Sequence, residues 1–191
     1  EEINYLPSNY SLVDYDYVTP IKDQADGGSC WSFTAMAVLE SCIKKITGRD
    51  YDFSEENMKN MMAVFSDYGK PDTYVNEGGS NSMAWAYLTS WLGPVFDEVD
   101  VYNDHSALSP VFDSVLHVQN ILFLKRDNFT DNDEIKYAIM RYGAVGTGMH
   151  YHDEYYYNGT YYYDGDLAAD HAVTIVGWDD YYSRDNFFAT P

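Results

Sequence analysis

Ser32, Ala35, Met36, Leu39, Ile43 and Ile46 recur at the three-and-four spacing of one helix face, and Gly48 follows as a stop. The spacing predicts a buried helix with Cys30 in its first turn. Ser54 is a good N-cap, Glu55 and Glu56 suit a first turn, and Met58, Met61, Met62 and Phe65 continue at helical spacing. The methionines read as core filler. A third helix is predicted from Ser80 through Met83, Ala84, Tyr87, Leu88 and Trp91, with Gly93-Pro94 ending it. Glu1 to Asp16 lacks periodicity and reads as an extended lead-in, and Tyr51-Asp52-Phe53 reads as a connector.

After Ser109-Pro110 the pattern changes. Val115, Leu116, Val118 and Ile121 to Leu124 give strand-like runs. Asp131 with Glu134 resembles a capping box, and Ile135, Ala138, Ile139 and Tyr142 share one face before Gly143: a short helix. Ala144 to His152 reads as a strand. Tyr155 to Tyr163 is a hairpin, because the central Asn158-Gly159 suits the positive φ of a type I′ turn. Helices first and strands afterwards define an α+β chain, taken as one domain over 1–191. Within it, 1–20 is the lead-in, 21–108 a helical lobe and 109–191 a β lobe.

Cysteine attacks as the thiolate, and the unpaired N–H groups at a helix N-terminus favour an anion. Cys30 sits there, behind Asp26-Gly27-Gly28-Ser29. A thiol needs a proton acceptor, and His171 leads the β-branched run Ala172-Val173-Thr174-Ile175-Val176, about 140 residues later and within the roughly 130–150 typical of papain-type pairs. A lone cysteine early in a helix is otherwise a small core hydrophobe.

Gln24…Cys30-Trp31-Ser32-Phe33 and Asp170-His171-Ala172-Val173 resemble the two signature segments of the papain-like cysteine peptidases. Tyr17 to Gln24 resembles the family's lead-in, and Glu77-Gly78-Gly79-Ser80 its substrate-binding glycine pair. The resemblance implies a two-lobed fold with the cleft between the lobes. It implies Cys30 as nucleophile, His171 as base and then acid, and Gln24 with the Cys30 N–H as oxyanion donors. Gly78 and Gly79 would pair with an extended peptide substrate, and Gly148 and Asp170 would lie near the pocket for the second residue before the cut. No cofactor and no metal are implied.

The chain departs from the family at several points. Gly27 and Asn76 stand where many members carry the two halves of a disulfide. Cys42 is twelve residues beyond Cys30 on the same helix, about 18 Å away by helical rise, so no bridge is expected and Cys42 reads as buried and inert. The family's N-S-W-G segment, whose asparagine orients the imidazole, is missing. Arg184-Asp185-Asn186-Phe187-Phe188 does not match it, so Asn186 receives no role. The resemblance therefore implies missing C-terminal strands, supplied by a longer precursor or a second chain. Glu1 begins without a signal peptide, as a processed form would, and an inhibitory pro-segment is implied.

The formal charge of −20 excludes nucleic acid and anionic membranes as expected partners and leaves a solvated surface, or attraction of basic substrates. No apolar run spans a bilayer. His150 and His152 read as two exposed histidines rather than metal ligands, and the tyrosines of the hairpin as cross-strand packing. Asn9, Asn128 and Asn158 open short glycan-acceptor motifs. The absent bridge and the Tyr-Asp-rich composition resemble bacterial or archaeal secreted and cell-surface members. A thiol-dependent endopeptidase is the reading that follows. A peptidase-fold binding or surface scaffold module, and a transpeptidase or transglutaminase-like acyl transferase, are the alternatives.

Overall fold

The computed structural model describes residue 3 and residues 5–187. Its organising element is α1, Cys30–Thr47, ended by Gly48 at φ 68° with its N–H donating to Lys44 O at 2.8 Å. α2 (Glu55–Met61) and α3 (Asn81–Thr89) pack on α1 around Trp31, Met36, Met58, Met61, Met62, Met83, Tyr87 and Leu88, all buried. A second core gathers Leu12, Ile139 and Ala144 and holds α4, Asp133–Tyr142.

Among the described residues, the strands form three antiparallel pairs. β1 (Asn9–Ser11) pairs with β6 (Gly177–Asp179), β2 (Val145–Met149) with β5 (His171–Ile175), and β3 (Tyr156–Tyr157) with β4 (Thr160–Tyr161). The β3–β4 turn has φ 46° at Asn158 and 82° at Gly159, the two positive values a type I′ turn requires. α1 packs directly on β2 and β5, which joins the helical part to the sheet part. This is the expected α+β architecture.

Several expectations change. The lead-in carries a strand, β1, whose Tyr10 pairs with Trp178; Glu1, Glu2 and Asn4 lie outside the described residues, as do 188–191. α1 buries polar side chains that an apolar pattern overlooks. Glu40 accepts from Thr19 Oγ1 (2.5 Å), Phe53 N (2.9 Å) and Lys22 Nζ (3.0 Å), and Ser41 Oγ donates to Tyr17 O (2.7 Å), so polar bonds tie the lead-in to the helix. Ile46 is exposed instead. α2 stops before the exposed Phe65, and its Glu55 and Glu56 are buried as partners of Lys22 and Lys59. α4 begins at Asp133 with Asn132 as N-cap and no side-chain capping bond, so the Asp131–Glu134 box does not form.

The runs around 115–124 form no strand. Leu116 and Val118 pack on the helical core, Val115 N donates to Pro94 O (2.9 Å), and Trp91 Nε1 donates to Val118 O (3.2 Å). The apolar residues there cover α3 and its C-terminal turn rather than pairing as a ladder. His150 is largely buried against Tyr163, at 4.6 Å between ring centroids, so only His152 is the exposed histidine expected. Cys30 and Cys42 are both free. Cys42 is half-buried, and burial pushes its thiol up.

Candidate active site

The turn before α1 closes on itself. Gly27 N–H donates to Gln24 O (3.2 Å), and the Gln24 side-chain amide donates back to Gly27 O (2.7 Å), leaving one N–H of that amide for another acceptor. Ser29, fully buried, occupies the N-cap without a side-chain capping bond, and its carbonyl accepts from the Ser32 and Phe33 amides. The Cys30 and Trp31 amides have no intrahelical acceptor, as at any helix start. Cys30 is half-buried.

Contacts along α1 place His171 relative to Cys30. A Cβ built on Gly143 would meet Cys42 N and Ser41 Oγ at 3.0 Å, and one on Gly146 would meet Thr34 Cγ2 at 3.0 Å and Val38 Cγ2 at 3.5 Å. β2 therefore runs back along α1 toward its N-terminus. At ~1.5 Å per helical residue and ~3.3 Å per strand residue, the next step along β2 brings Met149 level with Cys30. Met149 is the register partner of His171. The nucleophile and base candidates thus sit at the same end of two packed elements. No hydrogen bond joins Cys30 to His171, and among the described residues the imidazole has no hydrogen-bond partner; its ring neighbour is Tyr151, at 5.5 Å.

The glycine pair lies against the same turn. A Cβ on Gly28 would meet Gly78 N at 2.6 Å and Asn76 O at 2.7 Å, so the two backbones touch only because position 28 has no side chain. Gly79 is pressed onto the buried Trp31 indole, whose ring a Cβ there would enter. Gln24, Cys30, Gly78 and Gly79 are thus held together. Gly148 pairs with Ala172 and faces Ala169, where a Cβ would approach at 3.1 Å.

Asp170 is turned toward His150. His150 Nδ1 stands 2.8 Å from Asp170 Oδ2, outside hydrogen-bond alignment, and Tyr151 N–H donates to Asp170 Oδ1 at 2.8 Å. That backbone bond, with the neighbouring His150 adding to it, holds the Asp170 carboxyl below its ordinary range. Asn186 sits in a turn whose carbonyl accepts from Thr160 Oγ1 (3.1 Å), beside the hairpin. Among the described residues, no group of three or more His, Cys, Asp or Glu is placed to hold a metal ion.

Sequence reasoning missed Tyr102. Its hydroxyl donates to Gln24 O (2.8 Å), and Ser29 Oγ lies 2.6 Å from it. The residue comes from an irregular stretch far along the chain, and the one signal for it is the missing side chain at Gly27.

A two-lobed α+β chain with a cysteine at the head of its central helix and a histidine at the facing strand start defines a thiol-peptidase architecture. The family model for papain family cysteine proteases matches residues 6–189, and the chain belongs to that family. It is 28% identical over 201 residues to a cysteine protease of Blomia tropicalis, covering 97% of this chain and 58% of that protein. Cathepsin K of Gallus gallus is 28% identical over 137 residues, or 70% of this chain and 37% of its own length. The chain spans about half the length of the curated relatives it matches. The structure of the cysteine protease and lectin-like domains of Cwp84, a surface layer associated protein of Clostridium difficile, superposes with TM-score 0.85 at 30% identity. It covers all of this chain and 43% of its own. Cwp84 after propeptide cleavage gives 0.83 at 33%, covering 97% and 48%.

Proposed function

We propose that this chain is a thiol-dependent endopeptidase acting on an extended protein or peptide strand. The observation that carries this reading is the register that pairs His171 with Met149 on a strand running back along α1 toward the Cys30 end. His171 takes the Cys30 proton, and the thiolate adds to the scissile carbonyl. The free N–H of the Gln24 amide and the Cys30 backbone N–H hold the oxyanion. As the C–N bond breaks, the imidazolium returns its proton to the leaving amine, and a thioester remains. His171 then deprotonates water, which displaces Cys30 and releases the acid. Gly78 and Gly79 offer backbone groups to the substrate strand. Gly148 and Asp170 border the pocket for the second residue before the cut.

We further propose that the group orienting His171 comes from a segment or chain outside the described residues, because the imidazole finds no hydrogen-bond partner among them. A pro-segment and a secreted or surface location are supported by the likeness to Cwp84. No helix among the described residues is long and apolar enough to cross a membrane.

The test is cleavage of an unfolded protein with mass detection of the products. Cys30→Ala and His171→Ala should abolish cleavage, and Gln24→Ala should lower kcat by about 10²–10³ with little change in KM. Cleavage that survives Cys30→Ala would remove the proposal. Saturable peptide binding without cleavage by the unaltered chain would favour a binding module, and products joined to an added amine an acyl transferase.

A further inference from the structure

The two positions where family members carry a disulfide, Gly27 and Asn76, are both taken up by the segment around Tyr102. The Asn76 amide donates to Asp104 O. A Cβ on Gly27 would meet the Tyr102 hydroxyl at 2.5 Å and Asp104 Cβ at 3.3 Å. That hydroxyl sits between two groups of the nucleophile turn. It gives its single proton to Gln24 O at 2.8 Å, so the Ser29 hydroxyl, 2.6 Å away, donates into it. The ring is fixed edge-on against Phe33 at 4.8 Å and lies under the Lys59 ammonium at 5.2 Å. Lys59 in turn donates to Asn103 O (2.8 Å) and Ser106 O (3.0 Å), which anchors the segment that follows Tyr102.

We propose that Tyr102 is a positioning residue that replaces the family's disulfide: it fixes the turn carrying both oxyanion donors, and its hydroxyl and a cysteine at position 27 exclude each other. The proposal rests on the endopeptidase reading for its kinetic consequence and on geometry alone for the exclusion. Gln24 and Cys30 are the first residue of the turn and the first of the helix it leads into. Tyr102 grips the carbonyl of Gln24 and the side chain of Ser29, one residue before Cys30. Loosening the turn displaces donors that act on the developing oxyanion, which affects the transition state more than substrate binding.

Tyr102→Phe keeps the ring and removes only the hydroxyl. It should lower kcat about ten- to a hundredfold with KM unchanged within about twofold, and Ser29→Ala, the milder variant, should give part of that loss. The exposed Tyr181→Phe is the control and should match the unaltered chain. Independently of activity, Gly27→Cys with Asn76→Cys should form a 27–76 bridge, read by peptide mass mapping, when position 102 is Phe and not when it is Tyr. The bridge should restore much of the lost kcat. Equal bridging in both backgrounds, or in neither, overturns the exclusion. A Tyr102→Phe that raises KM and lowers thermal stability with kcat intact overturns the positioning role. If the unaltered chain cleaves nothing, the endopeptidase reading fails and the bridging result still decides the exclusion.

Discussion

Lys22 gathers three carboxylates, Glu40 at 3.0 Å, Asp52 at 2.6 Å and Glu55 at 2.8 Å, and one ammonium cannot compensate all three equally. The lysine is held well above its ordinary range, mainly by Glu55, Asp52 and Glu40 against the cost of burial. Burial pushes Glu55 the other way, up to about 7, against the pull of Lys22. Lys22 thus stays charged, and Glu55 is the carboxylate that takes up a proton near neutrality. Its ordinary value is 4.5, so between 4.5 and about 7 the folded chain holds a proton that the unfolded chain has released. This contribution to stability falls as pH rises through that window and is flat above it. Urea midpoints of the chain and of Glu55→Gln, compared from acid to neutral pH, should show the variant losing this part of the slope. Parallel curves would place the proton elsewhere. None of this was legible in the sequence, where Glu55 reads only as a residue suited to a first helical turn; its fate was decided by Lys22, thirty-three residues earlier.

Among the elements, α2 has the least expected role. Met58 and Met61 enter the core as the spacing predicts, while Glu55, Glu56, Asn57, Lys59 and Asn60 are equally buried, and all of these but Glu55 hold the irregular chain beyond Phe96. Asn57 Nδ2 donates to Asp100 Oδ2 (2.8 Å) and Pro110 O (3.1 Å), and Glu56 accepts from Asn103 N (3.0 Å). Lys59→Met would strand Glu56 without its cation, and the remaining Asn60 and Asn103 donors limit the loss to about 3 kcal/mol, the low end of the range for a broken buried pair. Denaturant unfolding measures the loss, and hydrogen exchange should quicken at 100–110 ahead of α1. The elements read correctly, α1, α3, α4 and the Asn158-Gly159 hairpin, are those whose own residues carry the signal: a stop glycine, an apolar stripe, a two-residue turn. β1 and the 115–124 cover were missed because each is defined by what it touches. Tyr10 finds Trp178, and Val115 finds Pro94.

At the scale of the whole molecule, the proposed site depends on β2 and β5 lying along α1 in one register. A one-residue slip of the β2–β5 pairing would carry His171 to the other face of the sheet. Cys30, His171 and the glycine pair are legible in the sequence as separate motifs; the close approach of the glycine pair to the turn before α1, and of β2 to α1, depends on Gly28 and Gly146, whose missing side chains let backbone meet neighbour. With a formal charge of −20, the molecule should draw in cationic peptides from a distance. kcat/KM for a lysine-rich peptide should fall as salt rises from about 0.01 to 0.1 M, where the screening length shortens from ~30 to ~10 Å, while an uncharged peptide shows no change. Equal slopes for both peptides would assign the charge to solubility alone.

The turn before α1 is fastened by Tyr102, Ser29 and Gln24 through oxygen and nitrogen, and both described cysteines stand free. A relative clamped by a cystine at that point faces opposing demands, since the reductant that keeps the attacking sulfur usable also threatens the clamp. Here the two are uncoupled: strong reducing agents can protect Cys30 while the surrounding scaffold is indifferent to them.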